Sequence, residues 1–165
     1  MNYIKMILIF SIIAAVVLIA VDQIIKYWAV TQLMPVGKMD FIKFGDTDIL
    51  GLTYVQNDGA AFSSFSGAKY FLIVLTSVMI IGLAVWSVKD KQKHPFMMFS
   101  TAAVIAGGIA NLIDRIRLGY VIDYLDVKLF NFAIFNFADI CVVVGAICLV
   151  IYVLFVEKKV TKTDE

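Results

Sequence analysis

Charge is scarce in this chain. Of 165 residues only 16% are Asp, Glu, Lys or Arg, while 62% are hydrophobic. Soluble domains carry about 25% charge and about 45–50% apolar residues, so a water-soluble globule is excluded. The formal net charge is +1. With no basic tract interleaved with aromatics and no glycine-rich phosphate loop, nothing points to nucleic acid or nucleotide binding. Histidine occurs once, His94, between Lys93 and Pro95 in a polar stretch. A zinc site lacks its ligands, and a Ser-His-Asp triad would have to draw on a residue far in sequence from the polar signatures described below. Cysteine occurs twice, Cys141 and Cys148, seven residues apart in one hydrophobic run. On a helix that is roughly 10 Å along the axis, too far for a disulfide, so both are read as packing residues. No metal or other cofactor is expected.

What the chain does have is long apolar runs. Four approach the roughly 20 residues that span a bilayer, at about 6–30, 69–88, 96–113 and 137–156. The first, preceded by Lys5, continues through Asp22 and Lys26 without a small-residue cleavage site. It is read as a membrane span and not as a cleaved leader. The expected fold class is therefore an all-α membrane protein of four helices, one polytopic domain over 1–165. Seven of the 14 Lys and Arg fall near the N-terminus, in 89–95 and in the C-terminal tail. The positive-inside rule makes these segments, and both termini, cytoplasmic. The connections 31–68 and 114–136 then face outward, carrying Asp40, Asp46, Asp48, Asp58, Asp114, Asp123 and Asp126. Within an outer β segment of about 36–66, Met39–Phe44, Ile49–Val55 and Ala60–Phe65 look like strands, separated by Gly45-Asp46-Thr47-Asp48 and Asn57-Asp58-Gly59 turn chemistry. Unpaired strands cannot sit in lipid. A small sheet at the outer interface is expected, with Phe41, Phe44, Tyr54, Phe62 and Phe65 facing the membrane or a site.

Hydrocarbon penalises a carboxylate by roughly 2.5–3.5 kcal/mol, so Asp123 and Asp139 at the edges of apolar segments need a reason. Two close carboxylates at low dielectric tend to share one proton, which equips them to deprotonate water and to protonate a carbonyl oxygen or leaving amine. The chain between them leaves the third span and enters the fourth, so side-by-side spans would let them meet. Residue types alone leave three readings open: a catalytic pair, a proton or ion relay, and interfacial structural charges, with Asp139 as a helix cap. Ala103, Gly107, Asn111 and Arg115 recur at four-residue spacing on one helical face, where small residues permit close helix packing and the polar pair points towards Asp123. Asp22 and Lys26 are four apart and can neutralise each other. Asn57 could be a turn residue only.

In order along the chain stand Asp22-Gln23-Ile24-Ile25-Lys26, Asn57-Asp58-Gly59-Ala60-Ala61-Phe62, Gly107 to Arg115 with Asn111, Gly119-Tyr120-Val121-Ile122-Asp123-Tyr124, and Phe135-Asn136-Phe137-Ala138-Asp139. Each alone is a weak signal; five in sequence, on four spans, are specific. Together they resemble the bacterial signal peptidase II family, the lipoprotein signal peptidases. The resemblance implies an aspartic endopeptidase of the bacterial plasma membrane that hydrolyses prolipoproteins before a diacylglyceryl-modified cysteine, with Asp123 and Asp139 as its dyad. It further implies that Asn57, Gly59, Asn111, Arg115 and Asn136 line or support the site, that Asp22 and Lys26 form a supporting pair, and that globomycin-type cyclic peptides inhibit it. Prolipoprotein substrates and membrane lipids are the implied partners.

Overall fold

The structure, a computed structural model, describes residues 3–59, 69–89 and 94–156. Its helices are α1 (Tyr3–Trp28), α2 (Lys69–Lys89), α3 (Pro95–Arg117) and α4 (Phe137–Ile151). A π-helical turn, Ala29–Leu33, prolongs α1, and another, Tyr152–Val156, prolongs α4. All four have the length and apolar character to cross a membrane. Half of the most apolar stretch of α3 is buried, against 11–17% in the other three, and α3 packs on each of them. It is the hub, and the remaining apolar faces are left for lipid.

Sequence explains how α3 starts and why it can be central. Pro95 occupies its first turn, where a missing N–H costs nothing, and the His94 side chain caps the start by accepting from the Phe96 N–H at 3.3 Å. Ala102, Ala106 and Ala110 are buried. A Cβ on Gly107 would stand 2.3 Å from the Ala138 carbonyl oxygen and 2.7 Å from Val142 Cγ2, and one on Gly145 would stand 2.8 Å from the Ser100 carbonyl. Glycines from both partners thus let α3 and α4 approach backbone to backbone, as the small-residue face suggests. Cys141 and Cys148 are free.

The strands β1 (Lys38–Phe44), β2 (Thr47–Asn57) and β3 (Val121–Val127) form one antiparallel sheet in that order. Phe44 pairs with Thr47 across a two-residue turn in which Gly45 takes φ +58°, the conformation primed hairpin turns require. This corrects the expectation of a sheet confined between the first two spans. The third strand comes from between α3 and α4, and it carries Asp123. The expected strand over 60–65, with Phe62 and Phe65, lies outside the described residues, as do 90–93 and the tail lysines. Ala29, Leu33, Leu52, Ile122 and Tyr124 make a core that seats the sheet on the end of α1. Tyr54 packs against that core, while Phe41 and Phe44 on β1 are exposed.

Candidate active site

Two local devices place the carboxylates. Asn136 caps α4 in a reciprocal box: its Oδ1 accepts from the Asp139 N–H at 2.9 Å, and Asp139 Oδ2 accepts from the Asn136 N–H at 3.0 Å. Asp139 is therefore not itself the cap but the third helical residue of the capping box. Asp123 is held from β3, where it pairs with Val55 of β2. The two acids then share a set of three asparagines. Asn57 Nδ2 donates to Asp123 Oδ2 at 2.8 Å, Asn136 Nδ2 to Asp123 Oδ1 at 2.7 Å, and Asn111 Nδ2 to Asp139 Oδ1 at 2.8 Å.

Each amide is oriented by a donor on its oxygen. The Gly59 N–H donates to Asn57 Oδ1 at 3.0 Å, Lys26 Nζ to Asn111 Oδ1 at 2.8 Å, and the Asp139 N–H to Asn136 Oδ1. A flipped amide would turn an oxygen towards a carboxylate and lose both bonds. Arg115 Nη2 donates to the Gly59 carbonyl at 2.9 Å, fixing the residue that in turn fixes Asn57. Burial pushes the Asp123 carboxyl up to about 6. The Asn57 bond opposes that rise, repulsion from Asp139 adds to it, and Asn136 and Lys26 work against it.

Behind this layer lies a buried ionic cluster. Lys26 Nζ is 3.0 Å from Asp22 Oδ2 and 2.8 Å from Asp114 Oδ2, all three residues being 1–3% exposed. Asp22 Oδ1 accepts from the Ala138 N–H at 2.9 Å, and Asp114 Oδ2 from the Ile122 N–H at 3.3 Å. Asp114 Oδ1 also accepts from Gln23 Nε2 at 3.0 Å. The cluster thus ties α1 to the start of α4 and α3 to β3, beside the residues that carry Asp139 and Asp123. Asp22 and Lys26 are more than a self-satisfied pair. Sequence reading missed Asp114 and Gln23. The signal was present: Asp114 stands one turn beyond Ala110 on the buried alanine stripe, where a carboxylate requires a cation. The helix also runs to Arg117, not to about Ile113, so Asp114 and Arg115 are helical and not loop residues.

A cavity of about 630 Å³ opens on Asp123, Asp139, Asn57, Asn111 and Arg115. Its remaining wall is almost wholly apolar: Met79, Ile80 and Leu83 of α2, Val104 and Gly108 of α3, Val142 to Val144 of α4, and Phe132 to Phe135 between β3 and α4. Asn136 and Gly59 bond to the lining without joining it, and Asp22 and Lys26 stand behind it. Polar groups gathered at the carboxylate end of an otherwise apolar hollow suit a substrate that is mostly membrane-embedded and reacts near one terminus.

Four bilayer-length helices and an apolar cavity that ends in two asparagine-held carboxylates define a multi-pass membrane protein. The sequence profile of the family "Signal peptidase (SPase) II" matches residues 14–155, and the chain belongs to that family. It is 40% identical over 149 residues to the "Lipoprotein signal peptidase" of Lactococcus lactis subsp. lactis (strain IL1403), covering 87% of this chain and 93% of that protein. With the protein of the same name from Clostridioides difficile (strain 630) it shares 38% identity over 145 residues, covering 87% and 94%. A solved structure described as "Bacterial membrane enzyme structure by the in meso method at 2.3 A resolution" superposes with a TM-score of 0.80 at 33% identity, covering 88% of this chain and 87% of that one. The chain is thus a protease of the signal peptidase II type.

Proposed function

We propose that this protein removes signal peptides from prolipoproteins by hydrolysing the bond before a diacylglyceryl-modified cysteine, with Asp123 and Asp139 as its catalytic pair. The observation that carries the reading is that one residue, Asn136, donates to both carboxylates, through its side chain to Asp123 and its backbone N–H to Asp139. In the proposed reaction the pair holds one proton. The ionised carboxylate takes a proton from water, the hydroxide adds to the scissile carbonyl, and the protonated partner supplies its proton to the carbonyl oxygen. Collapse of the tetrahedral intermediate breaks the C–N bond: one of its hydroxyl protons returns to the carboxylate that protonated the carbonyl oxygen, and the amine of the cysteine leaves with the proton gained from water, so the pair again holds one proton. Burial and repulsion from Asp139 push the Asp123 carboxyl up to about 6, which favours keeping one proton on the pair.

The whole chain acts as one domain in the bacterial plasma membrane. The positive-inside rule, applied to the basic segments, supports cytoplasmic termini and a site at the outer face. Acyl chains of the substrate contact the apolar wall of the cavity alongside membrane lipid, and globomycin-type cyclic peptides occupy the same hollow. A proton relay is disfavoured because it needs polar groups at several depths, and no charge occurs in α2 between Leu72 and Val85 or in the chain between Val142 and Val156. The test is cleavage of a purified diacylglyceryl-modified prolipoprotein in detergent. Asp123→Asn and Asp139→Asn should each abolish it in a folded, inserted protein; near-wild-type turnover by either variant would refute the pair. The same precursor with a free thiol should be cleaved far more slowly. Its lipid supplies roughly 0.8 kcal/mol of anchoring per buried methylene, which holds the scissile bond at the depth of the acids.

A further inference from the structure

Asp123 faces two hollows. Besides the helix-lined cavity, a second, open hollow of about 320 Å³ is bordered by Val55 and Asn57 of β2, Asp123 of β3 and the segment 131–134. It shares Asn57, Asp123 and residues 132–134 with the larger cavity but takes no residue from any helix. Phe132 lines both. It is braced edge-on between Phe130 and Phe135, with ring centroids 5.9 and 5.8 Å away, an arrangement aromatic rings favour. Asn131 and Val55 line the smaller hollow and not the larger cavity.

We propose that the sheet-side hollow is a subsite for the side chain immediately following the modified cysteine, and that Asn131 sets its specificity. This rests on the peptidase reading above. A carboxylate that acts on a peptide bond must meet chain on both sides of that bond. The helix-lined cavity, apolar at membrane depth, fits the part of the substrate that stays in the bilayer: the signal peptide and the acyl chains. The other side of the bond belongs to the mature polypeptide, which leaves the membrane. At Asp123 the hollow outside the helix-lined cavity is walled by strands and connecting segment. At about 320 Å³ the space lies at the small end of ligand-sized pockets and suits one side chain. Among the described residues that border it, the polar groups are the amides of Asn57 and Asn131 and the Asp123 carboxylate, and none is a cation. Small or neutral side chains should be accepted, and acidic ones opposed by the single negative charge that the aspartate pair carries. Asn57 and Asp123 also serve the carboxylate network, which leaves Asn131 as a selector that can be changed without touching the acids.

The experiment uses the full-length protein in detergent and three diacylglyceryl-modified substrates that differ only in the residue after the cysteine: Gly, Leu or Asp. Wild-type kcat/KM should rank Gly and Leu above Asp. Asn131→Trp narrows the hollow and should lower kcat/KM for Leu roughly tenfold more than for Gly, the scale of steric discrimination in a pocket. Asn131→Lys adds the missing cation and should raise Asp relative to Gly, a gain that impaired folding cannot mimic. Leu/Gly and Asp/Gly ratios unchanged in both variants would overturn the assignment. So would a change of selectivity confined to residues before the cysteine. Failure of the wild type to cleave the Gly substrate at all would instead refute the peptidase reading beneath it.

Discussion

Replacing Asp123 by Asn should change the pH dependence of stability in a direction opposite to the usual acidic residue. Burial first, then repulsion from Asp139, hold the native carboxyl at about 6 against an ordinary 3.8. Between those values the native state keeps a proton that the unfolded chain releases. The stabilising contribution is therefore full below about pH 4 and is lost as pH rises through about 6. At 1.36 kcal/mol per pH unit of separation the loss comes to about 3 kcal/mol. Asn carries no such proton. Its amide will also face the Nδ2 donor of Asn57 or of Asn136 and forfeit one hydrogen bond, at a cost of about 1–3 kcal/mol, but that cost does not vary with pH. The pH-dependent part is thus separable. The stability of Asp123→Asn relative to wild type should rise by about 3 kcal/mol between pH 4 and pH 7, or about 6–12 °C in Tm for a chain of this size. The assay is thermal unfolding of both proteins in one detergent across that range. Parallel curves would refute the raised value and, with it, the shared proton that the proposed chemistry needs. In the wild type the same protonation gives kcat/KM an alkaline limb, falling as pH rises past about 6.

Lys26→Met should destabilise the protein by about 3–5 kcal/mol, because Asp22 and Asp114 would be left buried without their cation; Asp114→Asn, which keeps a Lys26–Asp22 pair, should cost less, and the order of the two unfolding midpoints checks this. Gly107→Ala should displace the start of α4, since its Cβ meets the Ala138 carbonyl at 2.3 Å. A destabilisation of about 1–3 kcal/mol should accompany a larger loss of turnover, of order a hundredfold for a shift of about 1 Å at Asp139, read as kcat at a temperature where the variant is folded. Arg115→Ala should reduce activity more than Arg117→Ala, because Arg115 lines the cavity and holds Gly59 while Arg117 is exposed at the helix end. Equal losses would show that the Arg115–Gly59–Asn57 chain does not matter.

The four helices were legible in sequence because a bilayer solvent leaves long uninterrupted apolar runs. The close-packing face of α3 was legible because close approach of helices demands small residues at fixed spacing, which Gly107 supplies; that its partner is α4 was not. Hydropathy failed where hydrogen bonding sets the boundary. The apolar run stops at Ile113, yet the helix continues to Arg117, because Asp114 finds partners in Lys26, Gln23 and the Ile122 N–H, and a positive φ at Gly119 then turns the chain. The strand Val121–Val127 was not readable from its own residues. Its pairing with β2 joins segments more than sixty residues apart, and strand preference depends on such neighbours more than on the residues themselves. Asp22 and Lys26 could be found by their four-residue spacing, whereas the third member of their cluster comes from another helix.

The asparagines account for what the neighbouring lysine alone could not provide. A cation placed directly on paired carboxylates would favour ionisation of both and remove the proton that the proposed chemistry needs. An unpartnered pair in a buried site would be costly in either charge state. Amides stand between these extremes: they satisfy the carboxylate oxygens with dipoles, without adding a full charge. Lys26 is kept one residue away from Asp139, donating to Asn111 Oδ1 while Asn111 Nδ2 donates to Asp139. Its own charge is spent on Asp22 and Asp114. The lysine therefore orients the amide and ties the helices together, while the Asp123 carboxyl stays raised at about 6. That separation of duties explains why the ionic cluster is buried behind the cavity and not within it.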